Sequence, residues 1–485
     1  MTLRPMKLLS TAFFLCMAFV SFGQTANEIS KIKHSSRRFL MGTQPELLRG
    51  PYLQKATPTS ITVRWRTNVY DRSRVMYGTK FNQPEYFVDD STLVAEHKIE
   101  LNNLKPNTKY YYTIGNLADT TLQGNEDNYF VTLPEYGSDQ LIRIAGFGDC
   151  GNNSINQIKV RNAMEQYIAD KPLTAWILMG DNAYSDGSDA EYQLKFFNNY
   201  KDNLLKKYAV FPSPGNHDYR DYPSASFKDQ HKMAYFQNFT MPTAGECGGT
   251  PSGTQAYYSY DIGNTHFLSL DSYGQDANDT YMYDVLSGQA EWVKEDLKAN
   301  KSKWVVAYWH HPPYTMGSHN SDTEDDLVAI RENFIKVLED LGVDLIICGH
   351  SHVYERSRLI KGHYGMEETY DPKKHEISSS TGLYNTSKNS APYLKNSNNN
   401  QGTVYVVSGS SGALGGHKDG YPHNAMYYSE NKVGGAVVLE IQGNQLELKW
   451  VCSDGEIRDQ FTMMKDVSKA EEKLLLKDKK LDRSK

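Results

Sequence analysis

A small all-β domain followed by a larger α/β domain is the fold that the sequence predicts, and three observations predict it. Residues 60–66, 74–77 and 110–114 alternate apolar and polar side chains, the period of half-buried strands. After Gly137, strand-like apolar runs alternate with stretches of helical period, as in sheets covered by helices. Five of those runs end in a residue able to bind a metal, which gathers candidate ligands beyond the strands' carboxyl ends.

Taken in order, the chain of 485 residues has a formal net charge of −6 and shows no basic field of the kind nucleic acid requires. An anionic substrate would therefore need a locally positive site, which metal cations can provide. Arg4 and Lys7 precede an apolar run from Leu8 to Phe22, and Ser21-Phe22-Gly23 offers small residues for cleavage. Residues 1–23 thus read as a signal peptide cut before Gln24, for a secreted or periplasmic protein. The run is short for a membrane span, so no stable membrane anchor is expected. Phe14-Leu15-Cys16-Met17 lacks the small residues that precede a lipidated cysteine. Cys150, Cys247, Cys348 and Cys452 remain in the mature chain, an even number that allows either disulfides or packed free thiols.

Residues 24–45 have no clear period and read as a linker, and residues 46–134 have β texture. Within them, Leu104-Lys105-Pro106-Asn107-Thr108-Lys109-Tyr110 has the spacing of a tyrosine corner, with Trp65 as the expected core tryptophan. This portion resembles a fibronectin type III domain. It either packs on the second domain and shapes the rim of a cleft or acts as a separate binding module.

Residues 140–465 form the expected second domain. Asn153 or Ser154 can cap a helix whose Ile155, Ile158, Ala163, Met164, Tyr167 and Ile168 share a face, closed by Pro172. Further packing helices are expected over Gln289–Leu297 and from Leu327 to Leu341. Between Gly362 and Gly402 the pattern dissolves into Ser, Asn, Lys and Gly, a mobile loop or a lid. Residues 435–441 and 445–452 read as a hairpin about Gly443-Asn444, and residues 466–485 as a charged tail.

The ligand-bearing ends are Gly148-Asp149, Gly180-Asp181 with Tyr184, Gly215-Asn216-His217-Asp218, His310-His311 and Gly349-His350-Ser351-His352. A lone histidine pair is more often a surface feature; five such ends in series make a site. In this order the blocks resemble the calcineurin-like metallophosphoesterase superfamily. Tyr184 and the following Val353-Tyr354-Glu355-Arg356-Ser357 make the chain similar to its purple acid phosphatases, whose arrangement the preceding β domain also fits. The resemblance implies an α/β domain of two packed β-sheets flanked by helices and a binuclear metal centre. Asp149, Tyr184 and His352 would bind one ion, Asn216, His310 and His350 the other, and Asp181 would bridge them. Oxygen donors from Asp and Tyr suit Fe(III), and the imidazole-rich set suits Zn, Mn or Fe(II). A structural tyrosine beside a plain manganese or zinc pair is the alternative for Tyr184.

The implied activity is an acid phosphatase's hydrolysis of small phosphate monoesters by attack of a metal-bound hydroxide. By the same resemblance His217 lies near the phosphate and His319 supplies a second catalytic histidine, though its local spacing is not a strict match. His311 is expected behind the ligands, and His417 and His423 either line the cleft or have no role. A diesterase or pyrophosphatase would use the same metals. A noncatalytic exported binding protein is the alternative from another class, but every ligand position holds a competent residue. Oligomeric state cannot be read from the sequence.

Overall fold

The computed structural model describes residues 44–118, 121–384, 391–397 and 401–475. The expected signal peptide and most of the linker lie outside them. Among the described residues no helix is long and apolar enough to cross a membrane.

The N-terminal domain is all β. Ile61–Gly78 is long enough to pair with Tyr86–Leu101 along nearly its whole length, with Leu47–Gln54 along its first part and with Lys109–Gly115 along its last, so six strands join in one hydrogen-bonded network. Trp65 is buried at its centre and stacks on His97, with ring centroids 4.7 Å apart. The tyrosine corner forms as expected: Lys105 N donates to Tyr110 Oη at 3.0 Å.

The second domain holds two seven-stranded sheets. In one, Ile142–Phe147, Ala175–Met179 and Ala209–Ser213 run parallel, and the hairpin Gly435–Gln442 and Gln445–Cys452 continues the sheet antiparallel. In the other, Thr265–Ser269, Trp304–Trp309, Leu345–Cys348 and Val404–Ser408 run parallel. The runs are apolar without alternation because both faces are covered; every residue of Trp304–Trp309 is buried. The sheets pack face to face, with Phe211 stacked on Tyr260 at 4.0 Å and Tyr354 on Trp450 at 4.3 Å. Asp344, the one charge in its apolar run, is buried between Lys395 and Lys465, each at 2.6 Å. Those lysines come from the opposite sheet, so the carboxylate ties the two together.

Several expectations change. Ser154 caps the helix Ile155–Tyr167, but Ile155 and Ile158 are 74% and 37% exposed. The helix turns Gln157 inward instead, because its side chain accepts from Asn152 N and Asn153 N and donates to Lys195 O, satisfying loop backbone beside Asp149. The helix after Glu324 contains a π-helical stretch, Ile330–Phe334, that buries Arg331 against Asp322 at 2.7 Å. Within the 362–402 stretch, expected to be irregular, Tyr393–Lys395 adds an edge strand beside Ile457–Lys465. All four described cysteines are buried and free.

At the amino ends of the parallel strands, His266 lies buried between Asp261 and Asp296, 2.8 and 2.6 Å from its two ring nitrogens, beside a cavity of ≈ 490 Å³. Burial disfavours the imidazolium, but the two carboxylates outweigh it and raise the pKa to about 9. This contribution to stability is full below about pH 6.5 and is lost as pH rises through about 9. The thermal midpoint is expected to fall between pH 7 and 10, and His266→Gln to flatten that fall. A wild-type midpoint constant over the interval would show that the imidazole is neutral throughout.

Candidate metal centre

The five loops converge because glycines let them touch. Gly180 has φ +82°, and a Cβ there would lie 2.5 Å from His310 Nδ1; one on Gly349 would lie 2.6 Å from Asp149 Oδ2. Three of the expected ligands, Asp149, Asp181 and His350, hold left-handed backbone at φ 56°, 52° and 66°. Each such residue costs about 1–3 kcal/mol and persists where its surroundings over-determine it. Here His350 N donates to Asp149 Oδ2 at 2.9 Å, and His217 N donates to Asp181 Oδ1 at 2.8 Å.

Two donor sets result. In the first, Tyr184 Oη lies 2.7 Å from Asp149 Oδ1 and 3.4 Å from His352 Nε2. In the second, His310 Nε2 lies 3.1 Å from Asn216 Oδ1 and 3.2 Å from His350 Nδ1. Asp181 stands between the sets, with Oδ2 3.3 Å from His310 Nε2 and its charge acting on the Tyr184 phenol. His310 Nδ1 lies 2.8 Å from Met179 O, to which it can only donate, so the neutral ring turns an unprotonated Nε2 toward the site. Such spacings suit donors sharing a cation at about 2.0–2.2 Å each. Asp149, Asp181 and His310 form one buried group able to hold a cation, and His310, His311 and His350 another.

Without a cation these groups burden one another. Burial, then the charges of Asp149 and Asp181, push the Tyr184 phenol well above its ordinary value. Burial disfavours charge on His310 as well, but Asp181 outweighs it and raises His310 to about 9. Burial, aided by His310 and His319 against the pull of Glu324, lowers His350 to about 4. A buried carboxylate pair, a phenol and three imidazoles at these distances form a site that favours added positive charge.

His217 packs on Tyr184 with ring centroids 4.4 Å apart, and its Nε2 is 3.7 Å from Asp181 Oδ2. His319 lies over His350 with ring centroids 3.7 Å apart. Its Nδ1 is 2.7 Å from Glu324 Oε2, a carboxylate that the sequence reading missed although it follows His319 by five positions. His311 adjoins the second set, with Nδ1 2.8 Å from Ser272 Oγ and its ring 4.2 Å from that of His350. His423 is buried against Tyr314, and His417 is exposed beside Tyr421, so neither joins the cluster. Asp218, quoted within its block but given no part, is fully buried; it accepts from Asn182 N at 3.1 Å and Gly215 N at 2.8 Å, joining the Asp181 and Asn216 loops.

Two packed sheets whose parallel strands end in such ligands define a metallophosphoesterase fold. The calcineurin-like phosphoesterase family matches residues 142–354, and the purple acid phosphatase N-terminal domain matches residues 51–132. The chain thus carries a calcineurin-like phosphoesterase domain behind a domain similar to the N-terminal one of purple acid phosphatases. It is 27% identical to purple acid phosphatase 15 of Arabidopsis thaliana over 54% of this chain and 50% of that protein. It is 26% identical to acid phosphatase type 7 of Mus musculus over 76% of this chain and 78% of that protein. The chain thus spans about half the length of the first relative and more than three quarters of the second. A purple acid phosphatase from yellow lupin (Lupinus luteus) seeds shares the fold, with a TM-score of 0.63 at 20% identity over 87% of this chain and 74% of that one.

Proposed function

We propose that the protein is an exported binuclear-metal phosphatase acting on small phosphate monoesters. The observation that carries this reading is the convergence of two donor sets with Asp181 between them. Asp149, Tyr184 and His352 would hold one ion, and Asn216, His310 and His350 the other. Oxygen donors in the first set favour Fe(III), and imidazoles in the second favour Zn, Mn or Fe(II). Bound there, the ions supply charge neutralisation for the phosphoryl oxygens and lower the pKa of water.

The chain's own groups do the rest. His217, partly exposed above Asp181, is placed to donate a hydrogen bond to a phosphoryl oxygen. His319 has Nδ1 engaged by Glu324, which leaves Nε2 to pass a proton to the departing alkoxide. The names of the relatives support an acid phosphatase, and the apolar segment from Leu8 to Phe22 supports its working outside the cytoplasm.

Tyr184→Phe tests the metal assignment. It deletes one oxygen, so the thermal midpoint should stay within a few degrees of wild type. The wild-type protein should absorb in the visible through phenolate-to-Fe(III) charge transfer and prefer monoesters to diesters and pyrophosphate below neutral pH; the variant should lose the band. A colourless wild type, fully active on zinc or manganese alone, would remove the iron assignment. Preference for diesters or pyrophosphate would replace the substrate class.

A further inference from the structure

One helical turn touches both domains and the site. The helix that begins at Asp189 is capped by Ser188, and its third residue is Glu191. The Glu191 carboxylate accepts from Ser185 N at 2.6 Å and Asp186 N at 2.9 Å, the loop immediately after Tyr184. One turn on, Lys195 Nζ donates to Tyr184 O and lies 2.9 Å from Glu191 Oε1. The carbonyl of Ser185 in turn lies 2.5 Å from His217 Nδ1, and the His217 ring packs on Tyr184. Glu191 therefore sets the backbone on which both a metal-ligand candidate and the phosphate-facing histidine rest.

The same turn is gripped from the β domain. Arg66 holds the Asp189 carboxylate through two nitrogens, Nη1 to Oδ2 at 2.5 Å and Nη2 to Oδ1 at 2.9 Å. Arg49 adds a contact from Nη2 to Oδ1 at 3.0 Å and lies 4.2 Å above the Phe197 ring. A paired guanidinium grip fixes direction as well as distance, which a single ammonium does not. Elsewhere the domains meet through contacts remote from this turn, such as Lys55 to Glu246 at 2.9 Å and Tyr112 Oη donating to Lys206 O at 2.8 Å.

We propose that Glu191 is a positioning residue for His217 and Tyr184, and that the β domain acts on the site by clamping Asp189 with Arg49 and Arg66. The role goes beyond docking. It gives the N-terminal domain, which carries none of the metal-ligand candidates, a part in fixing the phosphate-facing histidine. Misplacement of such a group by about 1 Å can cost up to 10²-fold in rate.

The test compares Glu191→Ala, Glu191→Gln, Asp189→Ala and a control, Glu246→Ala, which breaks another interdomain ion pair. Two readouts are taken: the ring carbon–proton resonance of His217 in metal-free full-length protein, and kcat and KM on p-nitrophenyl phosphate after metal loading. The expected result is one sharp His217 resonance in wild type and control. It should broaden or split in Glu191→Ala and Asp189→Ala, and partly recover in Glu191→Gln, which keeps one acceptor. In parallel, kcat should fall about tenfold while KM changes by less than about twofold.

An unchanged resonance in folded Glu191→Ala and Asp189→Ala would overturn the proposal. A control that reproduces their effect would reduce the clamp to ordinary domain packing and overturn the β-domain part, as would a response to Glu191→Ala alone. If Glu191→Ala does not fold, Asp189→Ala, whose carboxylate is 45% exposed, still decides. The kinetic arm rests on the phosphatase reading. Loss of ester hydrolysis in the wild type would fault that reading, while the resonance still judges the positioning.

Discussion

Replacing Asp181 by alanine is expected to lower phosphatase activity by about 10³-fold and to reduce the content of both metal ions together. The reason is position. The carboxylate is buried, lies 3.3 Å from His310, acts electrostatically on Tyr184 across the site, and accepts the His217 backbone N–H. A residue shared by two donor sets takes charge from both when it is removed, whereas His352→Ala and His350→Ala should each weaken one ion. Metal content per chain, measured on protein with an unchanged thermal midpoint, checks this. Loss of a single ion would mean that Asp181 belongs to one set only.

Asp459→Ala is expected to cost about 3–5 kcal/mol of folding free energy because it strands a buried guanidinium. Arg356 is fully enclosed; its Nε and Nη2 meet Asp459 at 2.5 and 2.8 Å, and Nη1 donates to Tyr393 Oη at 3.1 Å. Tyr354 Oη also donates to Asp459, at 2.8 Å. Arg356 and Tyr354 belong to one sheet and Asp459 to the other, so the pair joins the layers that carry the ligand loops. Replacing both partners with apolar residues, as in Arg356→Met with Asp459→Leu, should restore most of the loss. Urea unfolding of wild type and the two variants measures it; a loss below about 1 kcal/mol in Asp459→Ala would show that the pair behaves as an exposed one.

The ligand loops were legible because their signals are local. A run such as Trp304–Trp309, apolar on both faces and ended by His310-His311-Pro312, states its burial and its terminus within ten residues. The tyrosine corner was legible for the same reason, since Lys105 and Tyr110 meet within five positions. Features made by distant partners were not. Glu191 is one more charged residue of a helix until the fold brings Ser185 and Asp186 onto it, and Glu324 gains meaning only beneath His319 and His350. The helix Ile155–Tyr167 shows the converse error. Apolar spacing favoured Ile155 and Ile158, but the unmet backbone groups of the Asp149 loop drew Gln157 inward. Arg356 was visible within its block, yet its partner lies a hundred residues downstream in the other sheet.

Metal dependence tests the central claim most directly. Purified full-length protein should contain two metal ions per chain, lose hydrolysis of p-nitrophenyl phosphate when both are removed by chelation, and regain it only when both sites are refilled. Undiminished hydrolysis by metal-free protein, or full activity with a single ion per chain, would contradict the assignment of Asp149, Tyr184 and His352 with Asn216, His310 and His350 to a two-metal centre joined by Asp181.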